Sequence, residues 1–165
     1  MLLCLFVGLA SAADVDLDDD DIDDDMYVPP ALRITVTDNL AALAEKSRFK
    51  GVPILLMFAS EDCEFCARLE NEVLGPLKLS GVDPQRVILR KVLMEDYEML
   101  NDFQGNTLSG ETFAIQHDVQ VTPTIVLVNA EGVELVPKII GYQTPGIYDA
   151  YLEKSIDVSL RLIKQ

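Results

Sequence analysis

The run Pro53-Ile-Leu-Leu-Met-Phe-Ala59 contains no polar side chain, and this limits the fold more than any other feature of the chain. A strand with one wet face alternates apolar and polar residues, whereas a strand apolar throughout needs cover on both faces. Thr124-Ile-Val-Leu-Val128 reads the same way, and Val87 to Met94 gives a third strand rich in β-branched and apolar residues. Helical stretches lie between them. Asn39 to Phe49 places Leu40, Leu43 and Ala44 on one face after the cap candidate Asp38 and stops near Gly51. A second helix is expected from Cys63 to about Leu74, closed by Gly75-Pro76, and a third from the cap Ser109 to about His117. Tyr97 to Leu108 shows no decisive period. After Val128 the chain turns at Asn129-Ala-Glu-Gly132 into Val133 to Ile140. Gly141 and Pro145 then bracket a loop, and Ile147 to Leu162 carries Tyr148, Tyr151, Leu152, Ile156 and Leu160 at helical spacing. Strands alternating with helices and ending in a hairpin plus a helix imply an α/β fold with a central mixed sheet flanked by helices.

The chain has 165 residues and a net charge of −15, and the charge is unevenly placed. Nine aspartates fall between Asp14 and Asp25, leaving −6 for the rest. No Lys/Arg cluster is present to neutralise phosphates, which argues against a nucleic-acid partner. Residues 13–30 read as an acidic disordered tail, too poor in apolar surface to offset the entropy of ordering. A calcium loop of the EF-hand kind would need a turn Gly and a terminal Glu, and the run has neither. Ahead of it, Met1 to Ala13 is apolar and ends in small residues, and Ala10-Ser11-Ala12 fits a cleavage site. Residues 1–12 are therefore expected to be a signal peptide, and the protein periplasmic or otherwise exported. This run is too short to span a bilayer. Residues 31–165 form the folded domain. Cys4 leaves with the signal peptide, so Cys63 and Cys66 are the cysteines of the mature chain.

Those two cysteines carry the chemistry. Cys63-Glu64-Phe65-Cys66 follows a buried strand and opens a helix, and two intervening residues put both sulfurs on the first turn. Cys63 then sits where unsatisfied N–H groups and the helix dipole favour the thiolate, the species that attacks disulfides. Cys66, one turn in, is expected to be more buried and to act as the resolving thiol. Two other readings stand beside this one. The pair could be half of a zinc site, which wants four ligands, or an inert structural bridge.

The order of strand, Cys-Glu-Phe-Cys helix, strand, helix, then Val121-Thr122-Pro123-Thr124 before a strand resembles the thioredoxin superfamily from about Asp38 to Lys164. The Thr-Pro-Thr sequence is similar to the exported, SoxW-type thioredoxins. The resemblance implies a thioredoxin-like fold, a redox-active Cys63–Cys66 disulfide and a cis Pro123 beside it. It also implies a substrate groove at Thr122 and Pro123, where a missing N–H frees neighbouring backbone groups for an extended client. Phe65, between the cysteines, is a candidate substrate contact. Neither a cofactor nor a metal is implied. The expected partners are client proteins with disulfides and a dithiol electron donor at the inner membrane or elsewhere, with the protein itself a monomer.

The chain departs from the family pattern at three places. Met57 stands six residues before Cys63, where thioredoxins bury an acid, so the internal proton acceptor for Cys66 is missing and another group or water must serve. Asp62 replaces the aromatic residue before the first cysteine, and Glu64-Phe65 replaces Gly-Pro. Glu61, Asp62 and Glu64 disfavour the Cys63 thiolate, which makes the couple more reducing and favours a reductase. Arg68 either folds back to offset that charge or pairs with Glu72 along the helix. His117 reads as a helix-end residue rather than a proton shuttle. An oxidase, or a binding module with an inert bridge, are the alternatives.

Overall fold

Side chains alternate between the two faces of a strand, so an apolar strand splits its residues between two separate cores. Ile54–Ala59 does this. The computed structural model describes residues 26–143 and 145–165; the expectations for a signal peptide and for most of the acidic tail fall outside that span. In chain order come α1 (Leu40–Lys50), β1 (Ile54–Ala59), α2 (Glu64–Leu69), a π-helical turn (Glu70–Leu74), α3 (Gly75–Leu79) and the kinked α4 (Val82–Gln85). There follow β2 (Ile88–Leu93), β3 (Met99–Asn101), β4 (Thr107–Ser109), α5 (Gly110–Gln116), β5 (Thr124–Val128), β6 (Ile139–Ile140) and α6 (Pro145–Ile163). The main sheet runs β2-β1-β5-β6. β1 pairs parallel with β2, from Ile54↔Ile88 to Ala59↔Leu93, and antiparallel with β5, from Ile54↔Val128 to Phe58↔Thr124. β6 is antiparallel to β5, so the sheet is mixed. The chain around Val36 covers the outer edge of β2, with Thr37 N–H donating to Lys91 C=O and Lys91 N–H to Thr35 C=O.

Leu55, Met57 and Ala59 face one core, which includes both cysteines, Leu69, Val73, Tyr142, Tyr148, Leu152 and Ile156 from α2 to α6. Ile54, Leu56 and Phe58 face the other, built with Leu40 and Leu43 of α1 and Phe113 and Ala114 of α5. The cysteines thus belong to the α2/α6 side of the sheet. His117 belongs to the opposite side: its ring packs 4.5 Å from Phe113 and 6.0 Å from Phe58.

Local chemistry sets the element ends, in places differently from the sequence expectation. The cap of α1 is Asn39, not Asp38; its side chain accepts the Ala42 N–H at 2.9 Å, and Gly51 closes the helix in the left-handed region at φ 64°. Gly75-Pro76 does not close the helix that begins at Cys63. The helix instead widens into the π turn, which absorbs the N–H that Pro76 lacks, and continues as α3. Gly75 serves close packing there, because a Cβ on it would lie 2.6 Å from Leu32 Cβ and 2.7 Å from the Glu70 carbonyl oxygen. The segment without a clear period, Tyr97 to Leu108, holds the hairpin β3–β4. Ser109 caps α5, accepting the Thr112 N–H at 3.2 Å. The expected strand from Val133 to Ile140 is regular only at its end. Glu134 bridges to Val128, Pro137 interrupts the ladder, and β6 resumes at Ile139.

Candidate active site

β1 ends at Ala59, and Ser60-Glu61-Asp62 carries the chain from its carboxyl end to Cys63, the N-cap of α2. Extended backbone at Cys63 (φ −115°, ψ 92°) turns its carbonyl to accept the Cys66 and Ala67 N–H groups at 3.0 and 3.1 Å, while its Sγ receives the Cys66 N–H at 3.1 Å. That turn brings the two Cα atoms to 5.1 Å, and the sulfurs are joined as a disulfide. Cys63 is 9% exposed and Cys66 4%, so both residues are buried, the second slightly more. Among the described residues no group of three or more His, Cys, Asp or Glu side chains converges on a common point.

The loop before β5 comes to the same place. Thr122 and Ser60 share a hydroxyl–hydroxyl hydrogen bond of 3.1 Å, which ties the approach to Cys63 to the approach to Pro123. The Thr122–Pro123 peptide is cis. Pro123 C=O accepts the Gly141 N–H and Val121 C=O accepts the Thr124 hydroxyl, both at 2.8 Å. Around this point the surface is apolar: Val121 is 51% exposed, Phe65 48% and Ile140 66%. Arg68 takes the helix pairing of the two readings considered for it in sequence. Its Nε pairs with Glu72 at 3.4 Å, and its guanidinium lies 6.0 Å from the Phe65 ring and 5.8 Å from the Tyr142 ring. Tyr142 is buried and donates its hydroxyl to Glu72, and burial followed by that hydrogen bond pushes its pKa well up.

The acids beside Cys63 are more numerous than the motif alone shows. Glu61, Asp62 and Glu64 are exposed. Glu61 N–H donates to Glu95 Oε1 at 2.8 Å, bringing the chain after β2 against the Cys63 loop. The Tyr97 hydroxyl is pushed up to about 12, first by its hydrogen bond to the Glu61 carboxylate, with the charges of Glu95 and Glu98 adding.

Behind the disulfide lies a cavity of about 110 Å³ lined by Cys63, Cys66, Ala59, Ala67, Glu70 and Lys91, with Met26 and Val28 of the amino-terminal segment. Glu70 is 2% exposed. Its Oε2 accepts the Ile34 N–H at 2.7 Å and its Oε1 pairs with Lys91 Nζ. The sequence reading passed over Glu70 and Lys91. One signal was present for each: Glu70 sits four residues after Cys66, on the apolar face of its helix, and Lys91 interrupts an apolar strand. His117 is remote from this site. Burial among Phe58 and Phe113 lowers its pKa, against the opposing pull of Glu134 at 3.9 Å.

Residues 41–156 match the family model described as a thioredoxin-like domain. Among solved structures, the DsbH oxidoreductase is similar, at 18% identity over 79% of this chain and 91% of its own, with a TM-score of 0.56. A thioredoxin-fold protein from Helicobacter pylori is similar at 17% identity over 84% of this chain and 89% of its own, with a TM-score of 0.51. No curated protein sequence matches the chain.

Proposed function

The chain belongs to the thioredoxin-like domain family, and on that premise we propose that it is a thiol–disulfide oxidoreductase working as an exported disulfide reductase on other proteins. The observation that carries the reading is the Cys63–Cys66 pair, bridged at the start of a helix that Cys63 caps, with the Thr122–Pro123 loop tied alongside. Cys63 is the attacking sulfur, Cys66 the resolving one, and Thr122, Pro123 and Phe65 form the client surface. The Thr122 N–H and C=O make no backbone hydrogen bond among the described residues, which leaves them for an extended client segment.

In the cycle, the Cys63 thiolate attacks a client disulfide to give a mixed disulfide, and one client sulfur leaves as thiolate. Cys66 then attacks Cys63 Sγ, forming the bridge and releasing the second client thiol. The client is reduced by two electrons, and a dithiol donor restores the pair. Direction follows from charge. Glu61, Asp62 and Glu64, reinforced by Glu95 and Glu98, oppose a stabilised Cys63 thiolate, and a less stabilised thiolate makes the reduced form easier to oxidise.

Titration against glutathione together with insulin reduction tests the reading. A potential near thioredoxin's, about −270 mV, with turnover of insulin is the expected result. A value near about −120 mV makes the protein an oxidase, and a bridge that resists every physiological dithiol makes it a binding module.

A further inference from the structure

The dithiol has two flanks. In the sheet β1 lies between β2 and β5, so the chain that leaves β1 for Cys63 is bordered by β5 on one side and by β2 on the other. Thr122 and Pro123 stand on the β5 flank, at the head of that strand. On the β2 flank is the cavity of about 110 Å³, which takes in Ala59 and Lys91 but neither Thr122 nor Pro123. Its wall is completed by Met26 and Val28, from a segment that precedes every helix and strand of the fold.

The anchoring of that segment is uneven. From Leu32 onward it is built into the domain. Leu32 fills the space that Gly75 leaves, the Ile34 N–H donates to buried Glu70 at 2.7 Å, and the Thr35 carbonyl accepts the Lys91 N–H at 2.9 Å. The turn just before is closed by the Leu32 and Arg33 N–H groups on the Pro29 carbonyl, at 2.9 and 3.2 Å. Met26 to Val28 are held differently. Among the described residues they carry two hydrogen bonds, both from side chains: Asn71 Nδ2 to the Tyr27 carbonyl and Arg33 Nε to the Val28 carbonyl, each at 2.8 Å. Tyr27 is 48% exposed, and Met26 and Val28 are half-buried. Asn71 Oδ1 is buried and meets no donor among the described residues, a penalty of the closed arrangement that water relieves once the segment lifts.

We propose that Met26–Val28 is a strap that shuts the β2 flank of the disulfide against small thiols and leaves the β5 flank to protein clients. The proposal rests on the dithiol reading above and deepens it, by naming what the site refuses. The cavity has room for several waters, and so for the head of a small thiol, but none for a polypeptide. Both cysteines are buried, so a small thiol entering by this flank reaches them from the lifted form, and its rate scales with the population of that form.

The test follows reduction of the oxidised full chain by dithiothreitol, quenched with acid and read by the mass of the alkylated cysteines. One dithiothreitol thiolate attacks a sulfur of the bridge, and the other cysteine leaves as thiolate. The second dithiothreitol thiolate then displaces the attacked cysteine and closes a cyclic disulfide, so the chain gains the two electrons that the reagent loses. With the lifted form a minor state of about 0.1–10%, Met26→Gly with Val28→Gly should speed this reduction at least about 10-fold. Asn71→Ala cuts the Tyr27 anchor and leaves the wall in place, and should speed it about 2- to 10-fold. Pre-reduced chain mixed with insulin supplies the protein-client arm, whose single-turnover rate should stay within about 2-fold in both variants. Should one variant not fold, the other is judged by the same two rates. Unchanged reduction by dithiothreitol, with insulin still turned over, overturns the strap and leaves the dithiol reading intact. Equal acceleration of both reactions also overturns it, because that reports a site loosened on every side. A bridge that dithiothreitol reduces neither in the wild type nor in the variants overturns the dithiol reading and the strap together.

Discussion

Cys63 and Cys66 are separated by three positions and share one core, but the first caps its helix while the second lies within the first turn. Their unequal roles should show in trapping. Cys66→Ser should accumulate mixed disulfides with disulfide-containing clients on non-reducing gels, and Cys63→Ser few; equal trapping by both would refute the assignment. The pair was legible in the sequence because its geometry is local: two residues between cysteines at a helix start bring the sulfurs together in any fold. Glu70 and Lys91 were not legible in the same way. What makes Glu70 special is its burial and its partners, which come from 36 and 21 residues away and meet it only after the sheet forms. Glu95 reaches the Cys63 loop from 34 residues away, for the same reason. Spacing reveals chemistry carried by one turn of chain, but not chemistry assembled across the sheet.

At the scale of elements, β1 and β5 could be read from composition because an uninterrupted apolar run, six residues in β1 and Ile125 to Val128 in β5, has few other fates. Helix ends were harder to read. Gly75-Pro76 is a stop signal in most contexts, yet here the glycine exists to let Leu32 approach, a demand set by a segment that precedes β1. Gly75→Ala should therefore cost about 2–4 kcal/mol in urea unfolding, through overpacking against backbone. Gly51→Ala, whose added methyl meets nothing within 4 Å, should cost only about 1 kcal/mol through its left-handed φ. The end of α5 gives a pH prediction. Burial depresses the His117 pKa below its ordinary value of 6.5, so the unfolded chain binds more protons than the folded one between the two values. The stability contributed by keeping His117 neutral is full above the unfolded pKa and is lost as pH falls through the folded one. Thermal midpoints should fall on moving from neutral to mildly acidic buffer, and His117→Leu should lessen that fall. Dithiol turnover should not follow the substitution, since His117 lies across the sheet from Cys63.

The whole molecule carries −15, and nine of those charges belong to the aspartates between Asp14 and Asp25. The first described residue after that run, Met26, lines the cavity behind the disulfide, and Asn71 of the π turn donates to the Tyr27 carbonyl at 2.8 Å. The described chain therefore begins beside the site. A cluster of like charges in the sequence just before that point acts on approaching clients through its field, and such a field changes encounter rates more than it changes bound-state energies. Deleting Asp14 to Asp25 should leave the thermal midpoint nearly unchanged, because so acidic a run has little apolar surface to bury. The deletion should instead change client choice. With a disulfide peptide flanked by Lys and Arg, kcat/KM should drop several-fold on deletion at about 0.01 M salt, where charges are felt over roughly 30 Å. An acidic peptide of the same length should gain by a similar factor. Near 1 M salt, where the range shrinks to about 3 Å, the full and shortened chains should react alike with both peptides. A salt-independent loss with both peptides would mean instead that the run is needed for the chemistry itself. If neither peptide responds at low salt, the aspartates exert no field at Cys63, and client choice is left to the apolar surface of Phe65, Val121 and Ile140.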